Sequence, residues 1–411
     1  MLTELFPKAH PRFSPLPLLG AYLDGFIAWL YAQGYPRLPV RQRIRAAKRL
    51  DEVLRRDGVR RVGDLTAEQL LAYAPKDSQQ DIGLAAVVRS LTAYLKGIQA
   101  LVPPRRSSYE VVLAPYRVHL EQVRGLAAQT VTHHMATAGE FLAFLGVDQD
   151  VERLRTLDRH TIERFIQSVG QRLERASLQH TIAYLRSFLR FLAGQGRVPH
   201  ELDCRIDTPR IYRGERLPRA LPWKLVQAFL RSIDCSTPMG RRDYAMFLMV
   251  ITYGLRCCEV VDLTLDDIDW RARQLHIQRR KVRSPLILPM TMEVEAALVT
   301  YLRDGRPALS CREVFLRVRA PAGTLKPTAV TEAFQGWVRR TGLPIAYQGP
   351  HCLRHSLAIH LLRQGLSLKT IGDLLGHRSA ESTCVYLRLQ VDDLRDVALE
   401  LPADEKTEAR P

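Results

Sequence analysis

The stretch HCLRHSLAIHLLRQGLSLKTIGDLLGHRSAESTCVYLRL covers residues 351–389 of a 411-residue chain. Its apolar residues recur at helical spacing as far as Leu375, and Gly376 follows at a position where helices commonly end. His377 comes next, and Tyr386 lies beyond a polar stretch. By itself the pattern is typical of a helix ended by glycine, a surface loop and a tyrosine whose ring packs on the core. Any functional interpretation depends on the rest of the sequence.

The composition is that of a folded, strongly basic protein. A chain of 411 residues is longer than one compact core usually needs, which predicts two or three domains. Lysine and arginine number 60 against 43 aspartate and glutamate residues, and the net charge of +17 favours a polyanionic partner, with a membrane surface as the rival. The sequence has neither an apolar run of about 18 residues nor an N-terminal signal pattern, so we expect a cytoplasmic protein without a membrane span.

Cysteine and histidine spacing gives little reason to expect a metal. The seven cysteines include no CxxC pair, which argues against a disulfide framework and a structural zinc site. His351, Cys352 and His355 lie close together in the sequence, but no glutamate lies between the two histidines, as a metal-activated hydrolase would need. We therefore expect neither a metal nor another cofactor.

The chain divides into four segments. Residues 1–105 are predicted to form a helical module that contains the basic amphipathic stretch VRQRIRAAKRLDEVLRRDG (40–58). Residues 106–200 repeat this helical plan. Residues 201–222 form a basic linker with several prolines, which could let two domains close around a duplex or could simply be solvated. Residues 223–411 differ in pattern and form the last segment.

The first two segments have similar apolar patterns. An alignment of the two places Val40, Ile44, Ala47, Leu50 and Leu54 on Val131, Met135, Ala138, Phe141 and Leu145. The match suggests a tandem pair of helical modules, although two unrelated amphipathic bundles could match by chance. Thr66 and Asp158 each precede a helical pattern, as N-cap residues do.

The last segment is predicted to be mostly helical with a small sheet. RRDYAMFLMVITYGL (241–255) is a strongly apolar helical stretch, and further helices are expected at about 291–304 and 328–341. Residues 274–278 and 285–289 have β-like runs on either side of a basic turn.

Four residues of this segment are candidates for function. Arg256 follows the apolar helix, and Glu259 could orient its guanidinium from the same helical face. Lys281 lies in the basic turn, whose tip could reach into a groove. His351 and Arg354 would lie on one side of a helix N-terminus, where the helix dipole favours an anion. Taken singly, each also fits a structural ion pair or an ordinary surface residue.

Taken together, the ordered motifs resemble the tyrosine recombinase family, the phage integrases and their relatives. The resemblance is carried by Arg256, Lys281, His351 with Arg354, Gly376 with His377, and Tyr386. It covers roughly 223–390, while 106–200 resembles the helical core-binding domain of that family and 1–105 falls outside its usual two-domain pattern. It implies a mainly α fold: a core-binding domain and an α-rich catalytic domain with a small antiparallel β-sheet, preceded by the extra N-terminal helical module.

The resemblance implies that these residues act on a DNA phosphodiester. Arg256 and Arg354 would donate to the phosphate, since guanidinium groups are planar, permanently charged donors. Tyr386 would be the nucleophile, and a hydroxyl with an ordinary pKa near 10 needs a proton acceptor. Of the histidines in these motifs, His351 is the better candidate for that proton acceptor. Lys281 would protonate the leaving 5′-oxygen.

His377 would complete this site by donating to the phosphate. Since the phosphotyrosine bond retains the energy of the bond that was broken, neither a metal nor a nucleotide is required. The turn around Lys281 departs from the family pattern, because it lacks the glycine that often follows the family's lysine.

The implied function is that of a site-specific DNA recombinase or integrase with a 3′-phosphotyrosyl intermediate, acting in integration or transposition of a mobile element. The implied partners are double-stranded DNA and a homotetramer on two DNA sites, of this chain alone or with partner recombinases. Residues 391–402 would form a tail helix that docks on a neighbour. The alternatives are a type IB topoisomerase-like enzyme that relaxes DNA and a DNA-binding regulator without catalysis.

Overall fold

The computed structural model describes residues 1–75, 81–103, 109–147, 151–204, 206–211, 218–279, 286–347, 349–377, 379 and 381–389. Contacts between these residues group the chain into two compact units. The first contains the described residues of Met1–Gly58, Asp77–Tyr94 and Arg216–Pro411, and the second contains those of Val59–Lys76 and Leu95–Glu215. The domain boundaries expected from the sequence stay predictions, and the expected tail helix at 391–402 lies outside the described residues.

Most of the fold is α-helical. In chain order the helices begin with α1 (Leu2–Leu5), α2 (Leu23–Ala32), α3 (Arg37–Arg56), α4 (Ala67–Ala72), α5 (Ile82–Gly97), α6 (Glu110–Val118), α7 (Ala128–Leu145), α8 (Arg159–Gly170) and α9 (Arg175–Gly194). They continue with α10 (Trp223–Arg231), α11 (Pro238–Tyr253), α12 (Cys257–Val261), α13 (Met292–Asp304), α14 (Pro327–Thr341), α15 (His351–Arg363), α16 (Leu368–Leu375) and α17 (Glu381–Cys384). Within the described part of the chain, no helix is both long and apolar enough to cross a membrane.

The small sheet is a three-stranded antiparallel meander. Its strands are β1 (Ile268–Asp269), β2 (Gln274–Ile277) and β3 (Leu286–Pro289), in the order β1-β2-β3. Leu275 pairs with Leu288, and both side chains are buried in the core of the first unit. The predicted fold class, mainly α with a small antiparallel sheet, is confirmed.

The second unit is a helical bundle around aromatic residues. Phe141 of α7 packs edge-on against Phe165 of α8, with ring centroids 5.0 Å apart. Helix α8 begins as the sequence predicted, because the Asp158 carboxylate accepts a hydrogen bond of 2.8 Å from the Thr161 N–H. Thr66 likewise caps α4, in a capping box with Gln69.

The N-terminal part of the first unit is built on α2 and α3. Helix α3 is amphipathic, and its buried side includes the five residues that the repeat alignment used, from Val40 to Leu54. The aligned face of α7 buries Val131, Ala138 and Phe141. Both helices therefore bury the aligned side, and the tandem repeat stays a prediction, because any two amphipathic helices would do so.

The remainder of the first unit surrounds α11. This helix is buried on almost every side, including the run Ala245–Ile251, because it lies in the middle of the unit's core. A second, smaller cluster joins α15 and α16 to Tyr386, through Ala358, Ile359, Ile371 and Leu375. Those candidate residues that the structure describes lie where the ends of α11, α15 and α16 meet.

Candidate active site

The C-terminus of α11 places the first arginine. Gly254 ends the helix in the left-handed conformation with φ 65°, and a Cβ at this position would overlap Leu375 Cδ2 of α16. Two residues later Arg256 is the N-cap of α12. Its backbone N–H donates to Glu259 Oε2 at 2.8 Å, and its Nη1 donates to Glu259 Oε1 at 2.7 Å. Glu259 is buried, so the ion pair expected from the spacing is present and holds the guanidinium in one orientation.

Arg354 of α15 contacts the same C-terminal end of α11. Its side chain is 2% exposed, and its Nη1 donates to the Gly254 carbonyl while its Nη2 donates to the Leu375 carbonyl at 2.5 Å. Arg256 Nη2 donates to the next carbonyl, that of Gly376, at 3.3 Å. Two guanidinium groups thus meet at the C-terminal end of α16, where unpaired carbonyls carry partial negative charge. Desolvation, with the charge of Arg256, lowers the pKa of Arg354 to about 10, so it stays protonated at pH 7.

Tyr386 lies in a short 3₁₀ turn, Val385–Leu389, and is 1% exposed. Its hydroxyl oxygen lies 3.0 Å from Nδ1 of His355. Burial raises the pKa of this hydroxyl, while the charges of Arg354 and Arg256 act in the opposite direction. The tyrosine is therefore protonated at neutral pH and lies within the field of both arginines.

Three histidines lie in this part of the site, and His355 is the one in contact with the tyrosine hydroxyl. His351 lies at the N-terminus of α15, and its ring meets the His355 ring edge-on, at a centroid distance of 4.6 Å. The His377 ring stacks beside Tyr386 at 6.2 Å. Desolvation and then neighbouring positive charge lower the pKa of His351 and bring those of His355 and His377 to about 4. His355 and His377 are accordingly neutral at pH 7.

The loop between α16 and Tyr386 is fixed by local contacts. Gly376 caps α16 in the left-handed conformation with φ 62°, so the helix ends where the sequence predicted. His377 Nδ1 lies 2.8 Å from the hydroxyl of Thr383, which is 1% exposed. In the tautomer whose Nδ1 accepts from this hydroxyl, Nε2 of His377 carries the proton and can donate it in a hydrogen bond.

The structure brings together five of the six predicted site residues, namely Arg256, His351, Arg354, His377 and Tyr386. The sixth, Lys281, lies outside the described residues. The five described residues are brought together by contacts between α12, α15, α16 and the Val385–Leu389 turn. Their roles in catalysis stay predictions.

Two residues that the sequence analysis left without a role also reach this site. Arg279 follows β2, and its Nη2 donates to the Leu374 carbonyl at 2.6 Å. Its guanidinium also lies so close to Gly376 that a Cβ there would overlap it. Desolvation lowers the pKa of Arg279. The second residue, His355, is one position beyond Arg354; its spacing of four from His351 is a signal that both face the same way along the helix.

Comparison with known proteins places this arrangement in a family. The model of the phage integrase family matches residues 224–392, and that of the phage integrase N-terminal SAM-like domain matches residues 113–196. The chain is 32% identical over 408 residues to y4rA of Sinorhizobium fredii, described as an integrase/recombinase, and the match covers 97% of this chain and 98% of that protein. The chain belongs to the phage integrase family and is a tyrosine recombinase.

A second relative agrees with this membership, and a solved structure shares the fold. The recombinase is 31% identical over 286 residues to tyrosine recombinase XerD of Listeria monocytogenes, a match that covers 67% of this chain and 92% of XerD. Its fold is similar to the crystal structure of the XerH site-specific recombinase bound to a palindromic difH substrate, with a TM-score of 0.54 at 15% identity. That match covers 82% of this chain and 96% of XerH, and at this identity it shows the fold alone.

Proposed function

We propose that this tyrosine recombinase cuts and rejoins double-stranded DNA at specific sites through a 3′-phosphotyrosyl intermediate. The observation that carries the proposal is that Tyr386 packs against the end of α16, where the guanidinium groups of Arg256 and Arg354 meet and their charges act on its hydroxyl. A net charge of +17 adds a general attraction to DNA.

The proposed chemistry is a displacement at phosphorus. The Tyr386 oxygen bonds to the phosphorus, the bond from phosphorus to the 5′-oxygen breaks, and that oxygen takes a proton from Lys281. The proton of the tyrosine hydroxyl passes to His351. Rejoining reverses these steps, with the free 5′-hydroxyl as nucleophile and the tyrosine oxygen as leaving group.

Charge stabilisation supplies much of the catalysis in this proposal. Negative charge grows on the non-bridging oxygens during the displacement, and guanidinium groups already held in place stabilise it without reorganisation. Loss of one such donor costs roughly 10²–10³ in rate in comparable sites. His377 is neutral at pH 7 and would add a neutral donor through Nε2 in the tautomer whose Nδ1 accepts from the Thr383 hydroxyl.

The biological role that fits best is integration or transposition of a mobile element. Support comes from y4rA, which is similar over almost the whole chain and is described as an integrase/recombinase. As the family resemblance implies, we also propose four protomers around two DNA sites, of this chain alone or with partner recombinases.

A covalent trapping experiment tests the chemistry. The DNA site is first mapped by footprinting the protein on the DNA that flanks its gene, and a nicked duplex of that site then serves as a suicide substrate. Wild-type protein should accumulate an adduct that survives denaturation. Tyr386→Phe should bind with near-wild-type affinity yet give no adduct, because only the nucleophilic oxygen is removed.

Tyr244→Phe is the matched control, since Tyr244 lies on α11 away from the site and should leave adduct formation unchanged. An adduct that persists in Tyr386→Phe would place the nucleophile elsewhere. Binding without any adduct in the wild type would support the regulator, and relaxation of supercoiled DNA without strand exchange would support the topoisomerase.

A further inference from the structure

The contact between His355 and Tyr386 is the most specific one that the proposed nucleophile makes. Nδ1 of His355 lies 3.0 Å from the tyrosine hydroxyl oxygen, and the two rings are 5.6 Å apart at 59°, so they meet through their polar atoms and not by stacking. The tyrosine ring itself is buried against apolar residues of α15 and α16. Packing therefore fixes the ring, and the hydrogen bond acts on the oxygen that would attack.

The protonation state of His355 follows from its surroundings. It is largely desolvated, and His351, Arg354 and His377 place positive or potentially positive groups around it, which brings its pKa to about 4. The imidazole is therefore neutral at pH 7, with one N–H and one bare nitrogen. Since its conjugate acid is so strong, proton transfer from the phenol to this imidazole is steeply uphill, and His355 is a poor general base.

We propose that His355 is a positioning residue that donates a hydrogen bond from Nδ1–H to the hydroxyl oxygen of Tyr386. The inference rests on the proposed role of Tyr386 as nucleophile and adds a residue and a direction of donation to it.

A donor at this position suits both directions of the reaction. A hydrogen bond to an oxygen favours its negatively charged form, so the Nδ1–H bond helps the hydroxyl to lose its proton when it attacks the phosphorus. The same bond stabilises the tyrosine oxygen when it leaves during rejoining. The proton of the hydroxyl is not directed at His355 and remains free to pass to His351, so the balance of the displacement is unchanged.

Three substitutions of His355 separate donation from acceptance. In His355→Asn the side-chain amide can place an N–H near the position of Nδ1, whereas His355→Asp places an acceptor there and His355→Leu places neither. His360→Asn is the control, because His360 lies on the same helix and stacks on Trp223, 3.9 Å away, outside the site.

The first measurement is the single-turnover rate of adduct formation on the suicide substrate, with DNA affinity and thermal stability measured beside it. We expect His355→Asn to retain the rate within about 5-fold, and His355→Leu and His355→Asp to lose roughly 10–100-fold with DNA affinity retained. If His355→Leu does not fold, His355→Gln replaces it, since the longer chain misplaces the same amide. A rate that Asp restores and Asn does not would overturn the proposal in favour of proton acceptance, and wild-type rates in all variants would overturn it outright.

The second measurement needs neither DNA nor catalysis. A 3-fluorotyrosine at position 386 reports its own ionisation by ¹⁹F NMR. Its pKa should be higher in His355→Leu and His355→Asp than in the wild type, and nearly unchanged in His355→Asn. The same pKa in all four proteins would overturn the donor assignment. Because this titration does not depend on adduct formation, it distinguishes failure of the inference from failure of the proposed function.

Discussion

Glu259 offers a test of how the site holds its first arginine. Its two carboxylate oxygens accept different N–H groups of Arg256, one from the backbone at 2.8 Å and one from the guanidinium at 2.7 Å. In Glu259→Gln one of these oxygens becomes an NH₂ group, which can only donate. The variant can therefore keep the cap of α12 or the contact to the guanidinium, but not both.

The magnitude follows from the burial of this residue. Glu259 is 5% exposed, so water cannot replace the lost bond, and a hydrogen bond between charged groups contributes about 1.5–3 kcal/mol. We expect the free energy of unfolding to fall by that amount. We also expect adduct formation to slow by roughly 10–100-fold, less than removal of the donor would cost, because Arg256 keeps its charge and loses only its fixed orientation.

Urea denaturation measures the first effect, and single-turnover adduct formation on the suicide substrate measures the second. Glu293→Gln is the control, because Glu293 is exposed on α13 and its substitution should change neither quantity appreciably. A Glu259→Gln protein that loses stability but cleaves at the wild-type rate would refute the idea that the carboxylate orients Arg256 for catalysis. Unchanged stability would refute the described geometry itself.

Two further predictions concern pH and salt. The pKa of His355 is about 4 in the folded protein and near 6.5 in the unfolded chain. The unfolded state therefore binds more protons between these pH values. The free energy of unfolding should fall as pH drops from 6.5 towards 4, by at most about 3 kcal/mol from this residue. Urea denaturation at pH 7 and pH 5 should show a smaller loss in His355→Asn, and an equal loss would contradict the assignment. Arg45, Arg55 and Arg56 are exposed on α3. If they bind DNA phosphates, replacing all three by alanine should make the log–log salt dependence of DNA binding shallower. The slope should change by about 0.9 for each phosphate that the variant no longer neutralises. An unchanged slope with altered oligomerisation would favour a protein-contact role for this helix.

Much of the architecture was predictable because it depends on local chemistry. Thr66 and Asp158 cap helices because a short polar side chain can accept a hydrogen bond from the N–H three residues on. Gly376 ends α16 because the chain turns there through a conformation that glycine adopts without strain. The strands β2 and β3 lie within the β-like runs predicted at 274–278 and 285–289. None of these features requires knowledge of distant parts of the chain.

The set of candidate residues was also visible in the sequence, because each lies in a recognisable motif and the motifs occur in a fixed order. Membership in the tyrosine recombinase family is confirmed by the comparisons. The catalytic roles of these residues stay predictions, and that of Lys281 is the least constrained, since it lies outside the described residues.

The partners within the site were decided by tertiary structure alone. His355 is 31 residues from Tyr386 in sequence, and Arg279 is 95 residues from the Leu374 carbonyl to which it donates. No periodicity or cap links residues so far apart; they meet because α15, α16 and the end of β2 pack against one another. Composition and spacing determined the helices and the small sheet, and the family resemblance of the ordered motifs supplied the list of candidate residues. Packing decided which nitrogen faces the tyrosine oxygen and how far burial shifts the histidine pKa values, because desolvation and charge–charge interactions depend on distance in space and not on distance along the chain.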